Sequence, residues 1–229
     1  MNKKNILTAA VSLSLVACLS IGATLAYFSD TTKEKQNVFS TGNVKITLVD
    51  ETNGPDLANG DQWFVKSDDD TGIQFGNVQP GDVVDKKVGV TLNENSSNCY
   101  VALKVTVTAN DKDGKALEVA ELQSSIIETA IANGWLNKMV DKDTMMFYYP
   151  VEFSNTDKAA ALGAELFEEV TIPADWGNQY AGVDLNIAVQ AAAVQSANLE
   201  APVAFEEGAA VVDDTVTSVV ELDKLLLTK

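Results

Sequence analysis

The 229-residue chain carries 16 Lys and Arg against 33 Asp and Glu, has no histidine, and has a formal charge of −17. All of its basic side chains are lysines, so it repels nucleic-acid backbones and anionic lipid surfaces, whose recognition needs clustered basic groups. The missing histidines exclude a His-Glu-x-x-His zinc helix and a Ser-His-Asp triad.

Lys3 and Lys4 precede a stretch, Ile6–Ala26, without a charged side chain. A short basic segment, an apolar one and a small-residue end (Thr24-Leu25-Ala26) form the pattern of a secretory signal. Cleavage is expected between Ala26 and Tyr27. Two other readings share these residues: an uncleaved membrane anchor, and a lipobox, Leu15-Val16-Ala17-Cys18, with Cys18 acylated. Against the lipobox, the apolar run continues past Cys18. Cleavage after Ala26 removes two positive charges and leaves Cys99 as the one cysteine, so no intramolecular disulfide can form. Cys99 is expected to be a small buried apolar residue.

After residues 1–26, residues 27–42 form a polar arm with scattered apolar positions at Tyr27, Phe28, Val38 and Phe39. Val44–Val49 alternates apolar and polar, the period of a half-buried strand. Asn53-Gly54-Pro55, Asn59-Gly60-Asp61 and Asp68-Asp69-Asp70 suggest a long irregular loop. Asn77–Asp82, with Pro80 and Gly81, is a turn feeding a strand over Val83–Leu92. Cys99–Ala109 is the clearest strand, with Val101, Leu103, Val105 and Val107 on one face. Asp111–Lys115 is a tight turn.

The period then changes: Leu117, Leu122, Ile126, Ile127, Ala130 and Ile131 predict a helix stopped at Asn133-Gly134. Met145–Phe153 is strand-like with Pro150 as an edge or bulge signal. Residues 157–170 are alanine-rich and are expected to hold at least a helical turn. Val183–Val194 is a second long strand, with Val183, Leu185, Ile187, Val189, Ala191 and Ala193 on one face. Residues 201–229 form a mixed tail without a Leu-Pro-x-Thr-Gly sorting signal. The sum predicts a mainly β, antiparallel jelly-roll-like sandwich with one or two inserted helices. Its body would occupy residues 43–200, with a helical insertion near 116–140.

Chemistry is sparse. Glycine-rich phosphate cradles and cysteine clusters are absent. Asp111, Asp113 and Gly114 look like the start of a calcium loop, but Leu122 stands where the closing glutamate belongs. A solvated turn is the preferred reading there, as is a solvated charge run at Asp68–Asp70. No cofactor is expected, with calcium the one possibility left open. Trp63, Trp135, Trp176, Tyr148 and Tyr149 fit core packing better than a carbohydrate platform.

Ala23–Asp30 with Asn37–Val44 resembles the export signal and early mature segment of the TasA/camelysin family, exported by a dedicated signal peptidase of the SipW type. Val78-Gln79-Pro80-Gly81-Asp82, Phe167–Pro173 and Ala191–Asn198 are similar to later stretches of such proteins. The resemblance implies a Gram-positive jelly-roll protein of the biofilm matrix or cell surface, with no membrane attachment after cleavage. It also implies fibres in which the N-terminal segment of one subunit completes the sheet of its neighbour. Tyr27, Phe28, Val38 and Phe39 would fill the groove, and the partners would be other copies or related matrix subunits. A monomeric adhesin or glycan-binding module is the alternative. The endopeptidase activity ascribed to some relatives does not fit a chain without histidine.

Overall fold

The computed structural model describes residues 38–51, 63–66, 73–154, 164–206 and 209–227, all within one unit, Lys35–Lys229. The expected cleavage site at Ala26 and Tyr27, the candidate Phe28, the Cys18 lipobox and the Asp68–Asp70 run lie outside the described residues. The elements in chain order are β1 (Val38–Ser40), β2 (Ile46–Glu51), β3 (Trp63–Lys66), β4 (Ile73–Val78), β5 (Val83–Leu92), β6 (Cys99–Asn110) and β7 (Ala116–Leu117). Then come α1 (Ala120–Ala132), β8 (Leu136–Met139), β9 (Thr144–Tyr148), β10 (Ala164–Thr171) and a 3-10 turn (Asn178–Tyr180). β11 (Val183–Gln195), β12 (Ala204–Glu206), β13 (Ala209–Val211) and α2 (Thr217–Leu227) complete the described chain.

Among the described residues the fold is a mainly β sandwich with two α-helices. One sheet runs β3-β4-β11-β6-β9-β8, with β1 added on β11 and β7 on β6; the other runs β10-β5-β2. The pairings are antiparallel, apart from β1 on β11. β6 and β11 pair along nearly their whole length at the centre of the larger sheet. Val101, Leu103, Val105 and Val107 share one buried cluster with Val183, Leu185, Ile187, Val189, Ala191 and Ala193, and with Leu48, Val84, Val88 and Val90 of the facing sheet. Burial of apolar side chains on both inner faces supplies the main driving force of such a layer.

Two departures from simple alternation are informative. Lys86 lies on the core face of β5 and is fully buried. Its Nζ sits 2.5 Å from Oδ1 of Asp50, itself on the core face of β2. Next, β10 occupies much of the stretch expected to be helical. Its register against β5 shifts on both sides of Phe167, and Leu166 and Phe167 are consecutively buried. A bulge of this kind hides the period of two in the sequence, and pairing with β5 makes a strand of residues that alternation alone does not reveal. Gly89 lies under the bulge, where an added Cβ would stand 2.9 Å from the Ala164 carbonyl oxygen.

The helix α1 buries Leu122, Ile126 and Ala130 and ends at Gly134, whose φ of +88° reverses the chain. From that stop, Asn133 Nδ2 donates to the Leu166 carbonyl at 3.0 Å and Trp135 Nε1 to that of Glu165 at 2.8 Å. Both contacts fall on β10, an edge of the smaller sheet.

Other elements correct the sequence expectations. The expected long loop contains β3, which pairs with β4. β9 ends at Tyr148, and β8 rather than β9 is the sheet edge. Beyond Pro150 the chain rejoins β6 at an isolated bridge between Phe153 and Cys99. The tail is ordered into a hairpin, β12–β13, and the helix α2.

Candidate functional site

The arm expected to lead into the fold already belongs to it at Val38–Ser40. β1 pairs in parallel with β11, placing Val38 beside Ala191, Phe39 beside Ala192 and Ser40 beside Ala193. Thr41 N–H extends the pairing to the Ala193 carbonyl at 3.1 Å. Gly42 then takes φ +70°, a backbone region costly for side-chain-bearing residues. Its missing Cβ also leaves room for the Gln195 side chain, whose Oε1 would otherwise lie at 2.5 Å. After this turn the chain enters the other sheet, fixed by Ser97 N–H to the Asn43 carbonyl (2.9 Å) and Lys45 N–H to Ser96 Oγ (2.8 Å).

Alternation splits the two candidate side chains between opposite faces of the large sheet. Val38 packs against the inner core cluster. Phe39 packs against a second cluster on the outer face: Ala102, Leu136, Met146, Tyr148, Ala192 and Val194, with Val216, Val219, Leu222 and Leu226 of the C-terminal segment above them. The small residues Ala102 and Ala192 let a helix approach the sheet closely.

Polar contacts hold α2 there. Asp223 accepts hydrogen bonds from Tyr148 Oη and from Lys138 Nζ, the latter at 3.1 Å. Lys138 also reaches Asp214 at 2.6 Å. Burial alone would lower the Lys138 pKa, but its hydrogen bonds to Asp214 and Asp223 outweigh it and leave the amine above its ordinary value. Burial, then the Asp223 hydrogen bond, raises the Tyr148 phenol. Lys104 Nζ caps the end of α2 at the Leu226 carbonyl, 2.8 Å away, where the helix dipole favours a cation. Ser218 Oγ donates to the Glu200 carbonyl at 2.6 Å.

The residues considered for other chemistry have structural work. Asp111 Oδ1 accepts from the N–H groups of Asp113 (3.0 Å) and Lys115 (2.8 Å), so it organises the turn that resembled a calcium loop. Among the described residues no group of three or more acidic or cysteine side chains is placed to hold a metal ion. Trp135 and Tyr148 are buried, and Trp176 is buried against Tyr180, with ring centroids 4.1 Å apart. Tyr149 bridges Trp135 and Phe153 by edge contacts. No described helix is long and apolar enough to cross a membrane.

Cys99 is fully buried on β6; burial, aided by the charge of Glu152, pushes its thiol up to about 12. The thiolate is the reactive form. Cys99 is therefore expected to resist iodoacetamide at pH 8 in the folded chain and to be alkylated in denaturant. Equal rates in both states would show that the site opens freely.

Val38 and Phe39 are the described members of the four arm candidates, and neither their parallel seat on β11 nor the helix above it follows from the sequence pattern of the arm. The signal for α2 was present in Val216, Val219, Leu222 and Leu226, spaced by three and four residues. No family model, curated protein or solved structure matches the chain.

Proposed function

We propose that the chain is a secreted structural protein of the extracellular matrix or cell surface, released by a dedicated signal peptidase, that self-associates or joins related matrix subunits by exchange of its N-terminal strand. The supporting observation is β1: a three-residue parallel strand at the start of the fold, joined to the body by the Gly42 turn and carrying one apolar side chain to each face of β11. So short a pairing makes few backbone hydrogen bonds. A neighbour's equivalent segment would remake them in the vacated seat by strand addition. The chain's resemblance to matrix proteins and its high negative charge fit an exported polymer whose assembly responds to screening.

Neighbouring strands lie about 5 Å apart, within the Cα spacing of a disulfide, and Ser40 is the register partner of Ala193. A Ser40→Cys/Ala193→Cys variant on a Cys99→Ala background should therefore lock β1 in its own chain when oxidised. The secreted form is expected to give filaments by electron microscopy and light scattering, at neutral or acidic pH or with calcium, when reduced but not when locked. Filaments formed equally by the locked chain would rule out exchange of β1.

A further inference from the structure

The C-terminal helix has no part in the sandwich core, yet it meets the same strand on which assembly is proposed to depend. We propose that α2 is a latch on β1: it holds the N-terminal strand in its own chain's seat and sets how readily that strand leaves. This deepens the assembly reading and rests on it for its purpose, though not for its first test.

β1 is held by its pairing with β11, by contacts with β2 and α2, and by Val38 against the inner cluster. Its register spans Val38, Phe39 and Ser40, and an isolated pairing of that length is marginal in water. The largest side chain on it is Phe39. That ring packs in the outer cluster, whose cover is Val219, Leu222 and Leu226 of α2 together with Val216. β1 and α2 are in direct contact. Withdrawing β1 pulls Phe39 out from beneath α2. Lifting α2 removes the helix's share of the apolar cluster against which Phe39 packs and leaves the ring more open to water. The two elements therefore share one apolar free-energy term and should open together.

The polar contacts make the latch separable from the core. Asp223 bonds Tyr148 and Lys138, Asp214 bonds Lys138, and Lys104 holds the Leu226 carbonyl. These groups lie on the α2 side of the large sheet. The inner cluster, including Val38's neighbours, is built from other residues. Weakening α2 should thus loosen Phe39 without unpacking the sandwich.

Hydrogen–deuterium exchange on the unassembled secreted chain tests this directly. Asp223→Ala leaves Tyr148 and Lys138 without their shared acceptor. It is expected to accelerate exchange in residues 217–227 and in residues 38–41 together, each by about tenfold or more, while β5 in the facing sheet is unchanged. Acceleration of 217–227 with 38–41 unaltered overturns the latch. Should Asp223→Ala loosen the whole chain, Phe39→Ala decides. Coupling between two sites is reciprocal, so truncating Phe39 should speed exchange in 217–227. No change there also overturns the proposal. In assembly, Asp223→Ala is expected to shorten the lag before filaments form, and an unaltered lag in a filament-forming parent overturns the latch. Filaments that form in neither parent nor variant remove the assembly reading alone, because the coupling is read in the monomer.

Discussion

Lys86→Met is expected to destabilise the chain by about 3–5 kcal/mol in urea unfolding, because it removes the cation paired with a buried carboxylate. Lys86 is fully buried and Asp50 nearly so, with 2.5 Å between Nζ and Oδ1. Their strands are neighbours in the smaller sheet, and both side chains point into the sandwich. Burial of both groups costs solvation, and their attraction offsets part of that cost while both are present. Asp50→Leu should cost a similar amount by removing the carboxylate paired with the buried ammonium group. The double variant, Lys86→Met with Asp50→Leu, is expected to recover most of the loss, since apolar replacements of buried pairs are often neutral. The coupling between the sites is thus large and of a sign that simple addition misses. Single variants costing less than about 1 kcal/mol would show that the pair is solvated in solution.

Trp135→Ala is the second large effect, about 3–5 kcal/mol by the usual cost of removing a buried aromatic side chain. The ring follows the Gly134 reversal and is 1% exposed, so its loss opens a cavity rather than a groove. It also carries the edge contact with Tyr149 at 5.1 Å and the Nε1 donor to the Glu165 carbonyl. Trp135→Phe keeps much of the packing but withdraws the donor, and is expected to cost about 1–3 kcal/mol through the unsatisfied carbonyl. If both variants unfold at the wild-type denaturant concentration, the ring is not part of the cooperative core.

The long strands were legible because burial on one face writes itself as alternation: the boundaries of β5 and nearly those of β6 and β11 follow from their apolar positions. Where backbone geometry breaks that period, the sequence misleads. The bulge around Phe167 made β10 look like part of an alanine-rich helical stretch. The α1 helix was legible from its spacing, but its first expected turn is the short strand β7, tied to Ala109 and Asn110 of β6. On the outer face of β11, Ala192 and Val194 follow the polar residues Asp184, Asn186 and Gln190. Only the three-dimensional position of α2 explains that change. The candidates Val38 and Phe39 were visible as apolar residues in a polar arm. Their separation onto two faces was not, because it depends on a pairing with residues far along the chain.

The contacts of Asn133 and Trp135 on β10 bear on the dimensionality of any polymer. A sheet edge invites strands wherever its backbone groups are unclaimed. At Leu166 and Glu165 those carbonyls are claimed by side chains of the chain itself, and α1 lies against the same strand. Recruitment of another copy over that stretch would require breaking bonds already made. Under the strand exchange proposed above each subunit has one donor and one acceptor, and closing this flank withdraws one sheet edge from lateral contact, which favours threads over lateral sheets.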